Sequence, residues 1–383
     1  MHDLMKKSIQ IILENQSESG AYIASPNFQH YAYSWLRDGS YIAVSMDTVG
    51  QHGSARAFHH WVDGVVCRYR HKIGHIQKAL ETGQQLEDKD FLFTRYSLAG
   101  YEDLSDDSWG NFQYDGYGTW LWALQEHHRM TGDDHLVDQV WQSVRDVLEY
   151  LSLVWQLPSY DCWEEHPELL HPHSLACVYG GMRAALALAV NCELPLDVDF
   201  FTSEAEKICQ FMMDYGVSQG AIVKHIHPNP KKNPCCNSIV DSNLLGVIYP
   251  NQLVALDSKL GKATLNKIRK DLLSKSGGIH RYVKDTYYGG GTWILLTAWL
   301  GWVEAQTGDT EMAQTRLDWV SGKANSQGWL PEQCLDEVLF PDMVDPWIRQ
   351  WGQVANPLLW SHAMYLILQD ALKQNNIKYK TSS

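Results

Sequence analysis

The sequence predicts an all-α protein, and three observations support this fold class. Apolar residues recur at spacings of three and four over most of the chain, as on one buried face of a helix. Alternating strand patterns are scarce, although residues 91–97 and 221–227 suggest short strands. Segments that end one helix and begin the next recur, which favours helix hairpins over βαβ units.

Helical periodicity is clearest in residues 136–155, where Val137, Val140, Val144 and Leu151 fall on one face. In chain order, the segments with this pattern are 3–14, 53–80, 116–130, 136–155, 174–190, 202–214, 260–273, 292–306, 310–320 and 360–373. Each segment is therefore predicted to be a helix with one apolar face.

The joints between helices support this assignment. Residues 131–133 and 307–309 both read Thr-Gly-Asp. The glycine suits the left-handed position after a helix, and the aspartate can cap the next helix. Gly83 follows Leu80-Glu81-Thr82 and predicts a helix end of the same kind.

About a dozen helices in 383 residues is the number that an (α/α)6 barrel requires. In that fold an inner ring of helices packs inside an outer ring, and the loops at one end form a cleft. A non-toroidal helical domain or an α-solenoid is the alternative that the pattern leaves open. No linker rich in Pro, Gly or Ser divides the chain, so residues 1–383 are expected to form a single domain.

Composition and charge limit the classes of binding partner that this protein is expected to have. The apolar content of 45% and charged content of 20% fit a soluble globular protein. A net charge of −14 argues against nucleic acid and anionic membranes as partners. Sixteen tryptophans and nineteen tyrosines indicate either an aromatic core or a cleft for sugar rings, which stack on flat aromatic faces.

Residues 1–7 begin an amphipathic helix pattern rather than a signal peptide, and no apolar run approaches the ~18 residues of a membrane span. The eight cysteines are scattered. We therefore expect reduced thiols and a cytoplasmic protein. His225 and His227 precede Cys235 and Cys236, but vicinal cysteines rarely chelate one metal, so no metal is expected.

The connecting segments are long, polar and aromatic. They cover residues 17–37, 85–115, 156–173, 225–238, 275–291 and 322–357. Loops of this length in a compact domain are usually functional. The candidate site residues are therefore sought in these segments.

Residues 160–166 place Glu164 and Glu165 directly after Trp163. A carboxylic acid beside an apolar wall has a raised pKa and stays protonated near neutrality, which a proton donor to an acetal requires. Glu332, in Leu330-Pro331-Glu332-Gln333, is the candidate partner base. The alternatives without a catalytic role are that Glu164 and Glu165 form a solvated acidic face and that Glu332 is an ordinary loop glutamate.

Two further loops carry polar residues suited to sugar hydroxyls. Arg37 and Asp38 can together grip adjacent hydroxyls through charge-assisted hydrogen bonds. Gln113 and Asp115 can point the same way across a turn; a helix cap is the alternative for both aspartates. The glycines at 289–291 lack a following Lys-Ser/Thr, which excludes a P-loop.

Together these blocks resemble glycoside hydrolase family 15, the glucoamylase-like enzymes, in the family's order. The resemblance rests on Trp35-Leu36-Arg37-Asp38, Trp109 with Gln113 and Asp115, Trp163-Glu164-Glu165, Arg281-Tyr282 with Asp285-Thr286-Tyr287-Tyr288 and Trp293, Pro331-Glu332-Gln333, and Leu359-Trp360-Ser361. It spans residues 31–363.

The resemblance implies an (α/α)6 enzyme that removes glucose from non-reducing ends with inversion. It implies that Glu164 is the general acid and Glu332 the general base, with no cofactor. Arg37 and Asp38 are expected to hold the terminal glucose, and Arg281 with Glu165 the next sugar. The remaining residues expected to bind substrate are Tyr31, Trp35, Trp109, Gln113, Asp115, Trp163, Tyr287, Trp293 and Trp360.

The short single-domain form is similar to isomaltose glucohydrolases, which implies a small α-1,6-linked oligosaccharide as substrate. The alternatives are α-1,4 glucoamylase, trehalase or glucodextranase activity, a non-catalytic sugar-binding regulatory protein, and a helical scaffold without a ligand. The sequence does not fix the linkage or the oligomeric state.

Overall fold

The computed structural model of the protein describes residues 2–105, 109–233 and 239–381. The helices in these ranges are α1 (His2–Glu14), α2 (Leu36–Thr48), α3 (His52–Tyr69), α4 (His71–Thr82), α5 (Asp115–Thr131), α6 (Asp134–Val154), α7 (Pro172–Asn191), α8 (Val198–Tyr215), α9 (Leu245–Ile248), α10 (Lys259–Leu272), α11 (Ile294–Gln306), α12 (Thr310–Gly322), α13 (Val344–Trp351) and α14 (Leu359–Thr381). The predicted all-α class is confirmed.

Six helices form a closed inner ring. In order around it, α2 packs on α5, α5 on α7, α7 on α9, α9 on α11, α11 on α14, and α14 on α2 again. The outer helices α3, α6, α8 and α12 pack on α2, α5, α7 and α11 respectively, and α1 packs on α14. This arrangement confirms the predicted (α/α)6 barrel and excludes an open solenoid.

The strands of the described residues form short antiparallel pairs. Two pairs lie at the starts of inner helices, and one pair follows an outer helix. They are β1 (Ser34–Trp35) with β2 (Arg95–Tyr96), β3 (Val217–Ser218) with β4 (Ala221–Ile222), and β5 (Thr292–Trp293) with β6 (Gln333–Cys334). Since β1 leads directly into α2 and β5 into α11, two of these pairs fix the entrance to inner helices. The predicted strand segments 91–97 and 221–227 contain β2 and β4.

The helix joints behave largely as the sequence predicts. Gly132 and Gly83 are left-handed and end α5 and α4. The Asp133 side chain accepts a hydrogen bond from the backbone N–H of Leu136, which caps α6. Asp309 also stands at an N-cap, but its side chain makes no capping bond; it lies 3.6 Å from Arg269 instead.

Three predicted boundaries were wrong or incomplete. The segment 53–80 is two helices, α3 and α4, separated at Arg70. The predicted loop 322–357 contains α13, an amphipathic helix of eight residues. The periodicity gave no start or end for α2, the helix at the end of the 31–38 block, because residues 36–47 are buried on every side and polar groups interrupt the apolar pattern.

Helix α7 is long and apolar enough to cross a membrane by length and composition, but most of it is buried inside this structure. It is an inner-ring helix that contacts α5, α8 and α9. Core helices of globular proteins commonly have such a composition because they are apolar all round.

Glycines allow α5 and α7 to approach closely. A Cβ on Gly118 would lie 2.2 Å from the carbonyl oxygen of Cys177, and one on Gly181 would lie 2.6 Å from the carbonyl oxygen of Gly118. Since both obstacles are backbone atoms, the helices themselves would have to separate. The inner ring therefore depends on the absence of side chains at this crossing.

We expect Gly118→Ala to lower the free energy of unfolding by about 1–3 kcal/mol, as overpacking of a close-packed core does. The matched control is Gly64→Ala on α3, where a Cβ meets nothing within 4 Å. That change should raise the free energy of unfolding by ~0.5–1 kcal/mol, because alanine favours the helix. Urea denaturation of both variants measures the difference; equal midpoints would contradict the packing argument.

Candidate active site

A cavity of ≈ 480 Å³ is lined by residues from the loops that precede inner helices. Every residue predicted for the site lines this cavity except Gln113 and Asp115. Residues from six separate segments of the chain thus converge, as the sequence pattern requires. The volume lies in the range typical of small-molecule pockets.

Arg37 and Asp38 lie in the first turn of α2 and are almost fully buried. The Arg37 Nη1 donates to Gln113 Oε1 at 3.1 Å and to Asp115 Oδ2 at 3.0 Å. Gln113 and Asp115 therefore lie behind the arginine and fix its orientation rather than line the cavity. Burial raises the pKa of Asp38 to about 7, although the Arg37 charge opposes this.

A tight turn presents Glu164. The Asp161 Oδ1 accepts hydrogen bonds from the backbone N–H groups of Trp163 and Glu165, each at 2.9 Å. The N–H of Glu164 donates to the carbonyl oxygen of Asp161 at 2.9 Å. Glu164 itself has a φ of 66°, in the left-handed region that non-glycine residues adopt at a cost. The turn thus directs this side chain into the cavity.

Two donors hold one carboxyl oxygen of Glu164. The indole Nε1 of Trp35 donates to Oε1 at 2.8 Å, and the amide Nε2 of Gln113 donates to the same oxygen at 3.2 Å. Gln113 therefore connects Arg37 and Glu164, since its amide oxygen accepts from the arginine. The orientation of Glu164 is tied to the cavity floor through one amide.

Glu332 lies just before β6 and lines the same cavity as Glu164. Its backbone N–H donates to Ala355 at 2.9 Å, and its carbonyl accepts from Ile294 at 3.2 Å. The Tyr31 hydroxyl donates to Oε1 at 2.9 Å and lies 3.0 Å from the Tyr287 hydroxyl. The Oε2 atom is buried and has no hydrogen-bond partner among the described residues.

The environment of Glu332 changes its acidity. Burial raises its pKa to about 7, while the hydrogen bond from Tyr31 and the charge of Arg281 act in the opposite direction. A carboxylate near neutral pKa is well matched to proton transfer at neutral pH. The unpartnered Oε2 is available to accept a hydrogen bond from a water molecule.

We expect Tyr31→Phe to move the acid limb of the kcat/KM profile to higher pH. The lost donor favoured the ionised carboxylate, so its removal raises the pKa of Glu332 above about 7. The sequence resemblance makes Glu332 the expected base, and a base works only when ionised, so activity at a given acid pH should fall. A pH profile for disaccharide hydrolysis measures the shift.

The matched control is Tyr282→Phe, because the Tyr282 hydroxyl donates to Glu165 at 2.6 Å and not to Glu332. Its acid limb should stay where the wild-type limb is. An acid limb of Tyr31→Phe that coincides with the wild-type limb would contradict the link to Glu332.

A buried charge network holds Glu165. Arg281 lies 3.3 Å from the Glu165 Oε1 and forms a short ion pair with Asp285 at 2.5 Å. The Lys224 ammonium lies 3.8 Å from Glu165 Oε2 and 2.8 Å from Asp241 Oδ2. Each charge has an opposite neighbour, so the network keeps Glu165 and Arg281 together at the cavity wall.

Aromatic rings form the rest of the wall. Trp163 and Trp293 lie with their ring centroids 5.4 Å apart, and Trp35 and Trp109 lie 6.0 Å apart. Buried polar atoms that lack a hydrogen-bond partner among the described residues gather here: the indole nitrogens of Trp109, Trp293, Trp351 and Trp360, Oδ2 of Asp38, Nε of Arg37 and Oε2 of Glu332. Buried polar atoms need partners, and a polyhydroxy ligand supplies them.

Sequence reasoning missed several residues here. Asp161 holds the turn that contains Glu164. The sequence carried a signal for this role, because an aspartate side chain often accepts a hydrogen bond from the backbone N–H two residues on. Lys224 and Asp241 come from distant loops and have no local signature. Trp347 and Trp351, brought to the cavity by α13, were visible only as aromatic residues in a long loop.

One histidine pair lies near this site. The ring nitrogens of His171 and His225 are 3.2 Å apart, and Asp161 completes a group with metal-ligand spacing. The Lys224 ammonium, 3.9 Å from Asp161, competes with a cation there. Cys235 and Cys236, which follow His225 and His227 in the metal motif considered from the sequence, lie outside the described residues.

Comparison with known proteins gives concordant results. The family model "Glycosyl hydrolases family 15" matches residues 1–331. The isomaltose glucohydrolase of Kribbella flavida is 38% identical over 374 residues, covering 97% of this chain and 93% of that protein. A Glu-to-Ala glycosidase variant solved in complex with glucose superposes with a TM-score of 0.90 at 37% identity, covering 97% of this chain and 96% of its own. A bacterial glucoamylase complexed with acarbose shares the fold, with a TM-score of 0.72 at 17% identity over 97% of this chain and 55% of its own.

Proposed function

Because this chain belongs to glycosyl hydrolase family 15, we propose that it releases β-glucose, with inversion, from the non-reducing end of small α-1,6-linked gluco-oligosaccharides such as isomaltose. That the chain is a glycoside hydrolase acting on glucosides follows from the family itself. The anomeric outcome, the linkage and the residue roles are the proposal. We propose also that residues 1–383 act as one catalytic domain, since α14 closes the ring against α2.

In the proposed mechanism Glu164 is the general acid and Glu332 the general base. Protonated Glu164 donates its proton to the glycosidic oxygen as the bond to glucose breaks. Ionised Glu332 removes a proton from a water molecule, which attacks the anomeric carbon from the opposite face. The observation that carries this proposal is that both carboxylates line one tryptophan-walled cavity, and that the buried Oε2 of Glu332 lacks a protein partner.

Arg37 and Asp38 are proposed to hold the terminal glucose at the cavity floor. The Arg37 Nε and Asp38 Oδ2 atoms are buried and lie 3.6 Å apart as an ion pair, but neither has a hydrogen-bond partner among the described residues, and the first turn of α2 fixes their backbone. Fixing the sugar in advance removes an entropic part of the activation barrier. Arg281 and Glu165, held together at 3.3 Å, are proposed to contact the second sugar.

The α-1,6 linkage is supported by similarity to the isomaltose glucohydrolase over almost the whole length of both chains. The rival substrates are maltose for a glucoamylase, trehalose for a trehalase and dextran for a glucodextranase. A sugar-binding regulatory protein is the non-catalytic rival. One panel of substrates separates all of these.

The test is glucose release from isomaltose, isomaltotriose, maltose, trehalose and dextran, with the anomer read by NMR during the first turnovers. We expect the highest kcat/KM on isomaltose or isomaltotriose and β-glucose as the first product. Preference for maltose or trehalose would replace the linkage assignment. First appearance of α-glucose would overturn inversion, and calorimetric binding without release would favour the regulatory protein.

A further inference from the structure

A second cluster of chemically active side chains lies at the other end of the inner ring. Asp47 is near the end of α2, His127 is near the end of α5, and His59 is on α3. All three are buried, with at most 3% of each residue exposed. One potential ligand atom from each lies within 4.8 Å of the others.

The carboxylate of Asp47 is the centre of this cluster. His127 Nδ1 lies 2.9 Å and 3.0 Å from its two oxygens, and His52 Nδ1 lies 2.8 Å from Oδ1. On the other side of its ring, His127 Nε2 is 3.7 Å from Asp133 Oδ2. The charge of Asp133 is balanced by an ion pair with Arg56.

His59 is the anomaly in this cluster. Neither of its ring nitrogens has a hydrogen-bond partner among the described residues, and the side chain is fully buried. A neutral imidazole has one donor and one acceptor, so both are left unsatisfied. A buried polar group without a partner is destabilising, so something should pair with His59.

We propose that Asp47, His59 and His127 bind a divalent transition-metal ion, with zinc as the best match. Two imidazoles and one carboxylate are a common zinc ligand set. Asp133 lies 3.7 Å from the other ring nitrogen of His127, on the side where a zinc-bound histidine has its outer partner. His52, with 45% of its side chain exposed, lies at the open edge and contacts the Asp47 carboxylate there.

This ion is structural rather than catalytic. Asp47 is nine residues beyond Asp38 on the same helix, which places it ~13 Å from the cavity floor along the axis. The ion joins the inner helices α2 and α5 to the outer helix α3. It therefore stabilises the closed ring at the end opposite the substrate, and it leaves the expectation of a metal-free hydrolytic site intact.

Two other groups in the described ranges have metal-ligand spacing and must be distinguished. His128, Asp134 and Cys192 form a more exposed set that contains a thiol, and Asp161, His171 and His225 lie beside Lys224. A cobalt probe separates the first from the proposed site, because thiolate ligation gives an intense near-ultraviolet charge-transfer band. Ligation by nitrogen and oxygen alone gives only weaker visible bands.

The experiment titrates chelator-treated full-length enzyme with zinc chloride by calorimetry and with cobalt chloride by absorption. We expect about one equivalent of zinc per chain, a rise of a few degrees in Tm, and a cobalt spectrum without the thiolate band. His59→Phe, which keeps the volume of the ring but removes its nitrogens, should lose this equivalent. Cys192→Ser and His225→Asn should keep it.

Absence of zinc binding to the wild type would overturn the proposal and leave a buried water as the partner of His59. A thiolate band, or zinc binding that survives in His59→Phe, would overturn it equally. Far-ultraviolet circular dichroism confirms that each variant is folded. If His59→Phe does not fold, retention of the zinc equivalent in His225→Asn, together with a cobalt spectrum without the thiolate band, decides the question, because these two results exclude both other groups.

Discussion

Replacing Glu332 with glutamine is expected to lower kcat for isomaltose by about 10²–10⁴-fold, with little change in KM. Glutamine keeps the size of the side chain, and its amide oxygen can still accept the hydrogen bond from Tyr31. It cannot accept a proton from water, so the attack on the anomeric carbon loses its base. Steady-state kinetics on isomaltose measure the loss.

The matched control is Glu337→Gln, five residues further along the same segment. Glu337 accepts a hydrogen bond from the backbone of Ser276 and does not line the cavity. Its kinetics should match those of the wild type. A Glu332→Gln enzyme with wild-type kcat would remove Glu332 from the role of base, whatever the position of its side chain.

Replacing Glu164 with glutamine is expected to lower kcat for isomaltose by a similar factor, about 10²–10⁴-fold, because the departing sugar then receives no proton. The loss should depend on the leaving group. α-Glucosyl fluoride releases fluoride, which needs little protonation, so this variant should recover most of its activity on that substrate. Glu332→Gln should not recover, since it lacks the activated water with either substrate.

The ratio of rates on the two substrates therefore assigns the roles. Glu168→Gln is the control for the Glu164 loop, because Glu168 is exposed and outside the cavity. If both catalytic variants lost the same factor on isomaltose and on the fluoride, the assignment of separate acid and base would fail.

The sequence predicted the helices correctly where they have one face exposed to solvent and one face buried. The outer helix α6 shows this pattern from end to end, and the left-handed Gly132 and the Asp133 cap mark its joint with α5. Periodicity gave no bounds for α2, since Arg37, Asp38 and Asp47 are polar residues buried inside the ring. It failed again at α13, which is too short to give a clear signal.

The site was predictable as a set of blocks but not as a geometry. The order of the aromatic and acidic motifs indicated which residues would meet. It did not indicate that Gln113 joins Arg37 to Glu164, or that Lys224 and Asp241 support Glu165, because those contacts join loops with no shared local pattern. Long-range pairing of polar groups is fixed by the closed ring rather than by neighbours in the chain.

The left-handed backbone at Glu164 bears on how this chain can change over time. Such a conformation disfavours a glutamate by about 1–3 kcal/mol and suits glycine or asparagine. Selection for folding alone would therefore remove the acid at this position. In a lineage that no longer needed hydrolysis, residue 164 should be among the first to drift, with a gain in stability. The residue type at this one position would then distinguish working hydrolases from inactive descendants that keep the same barrel.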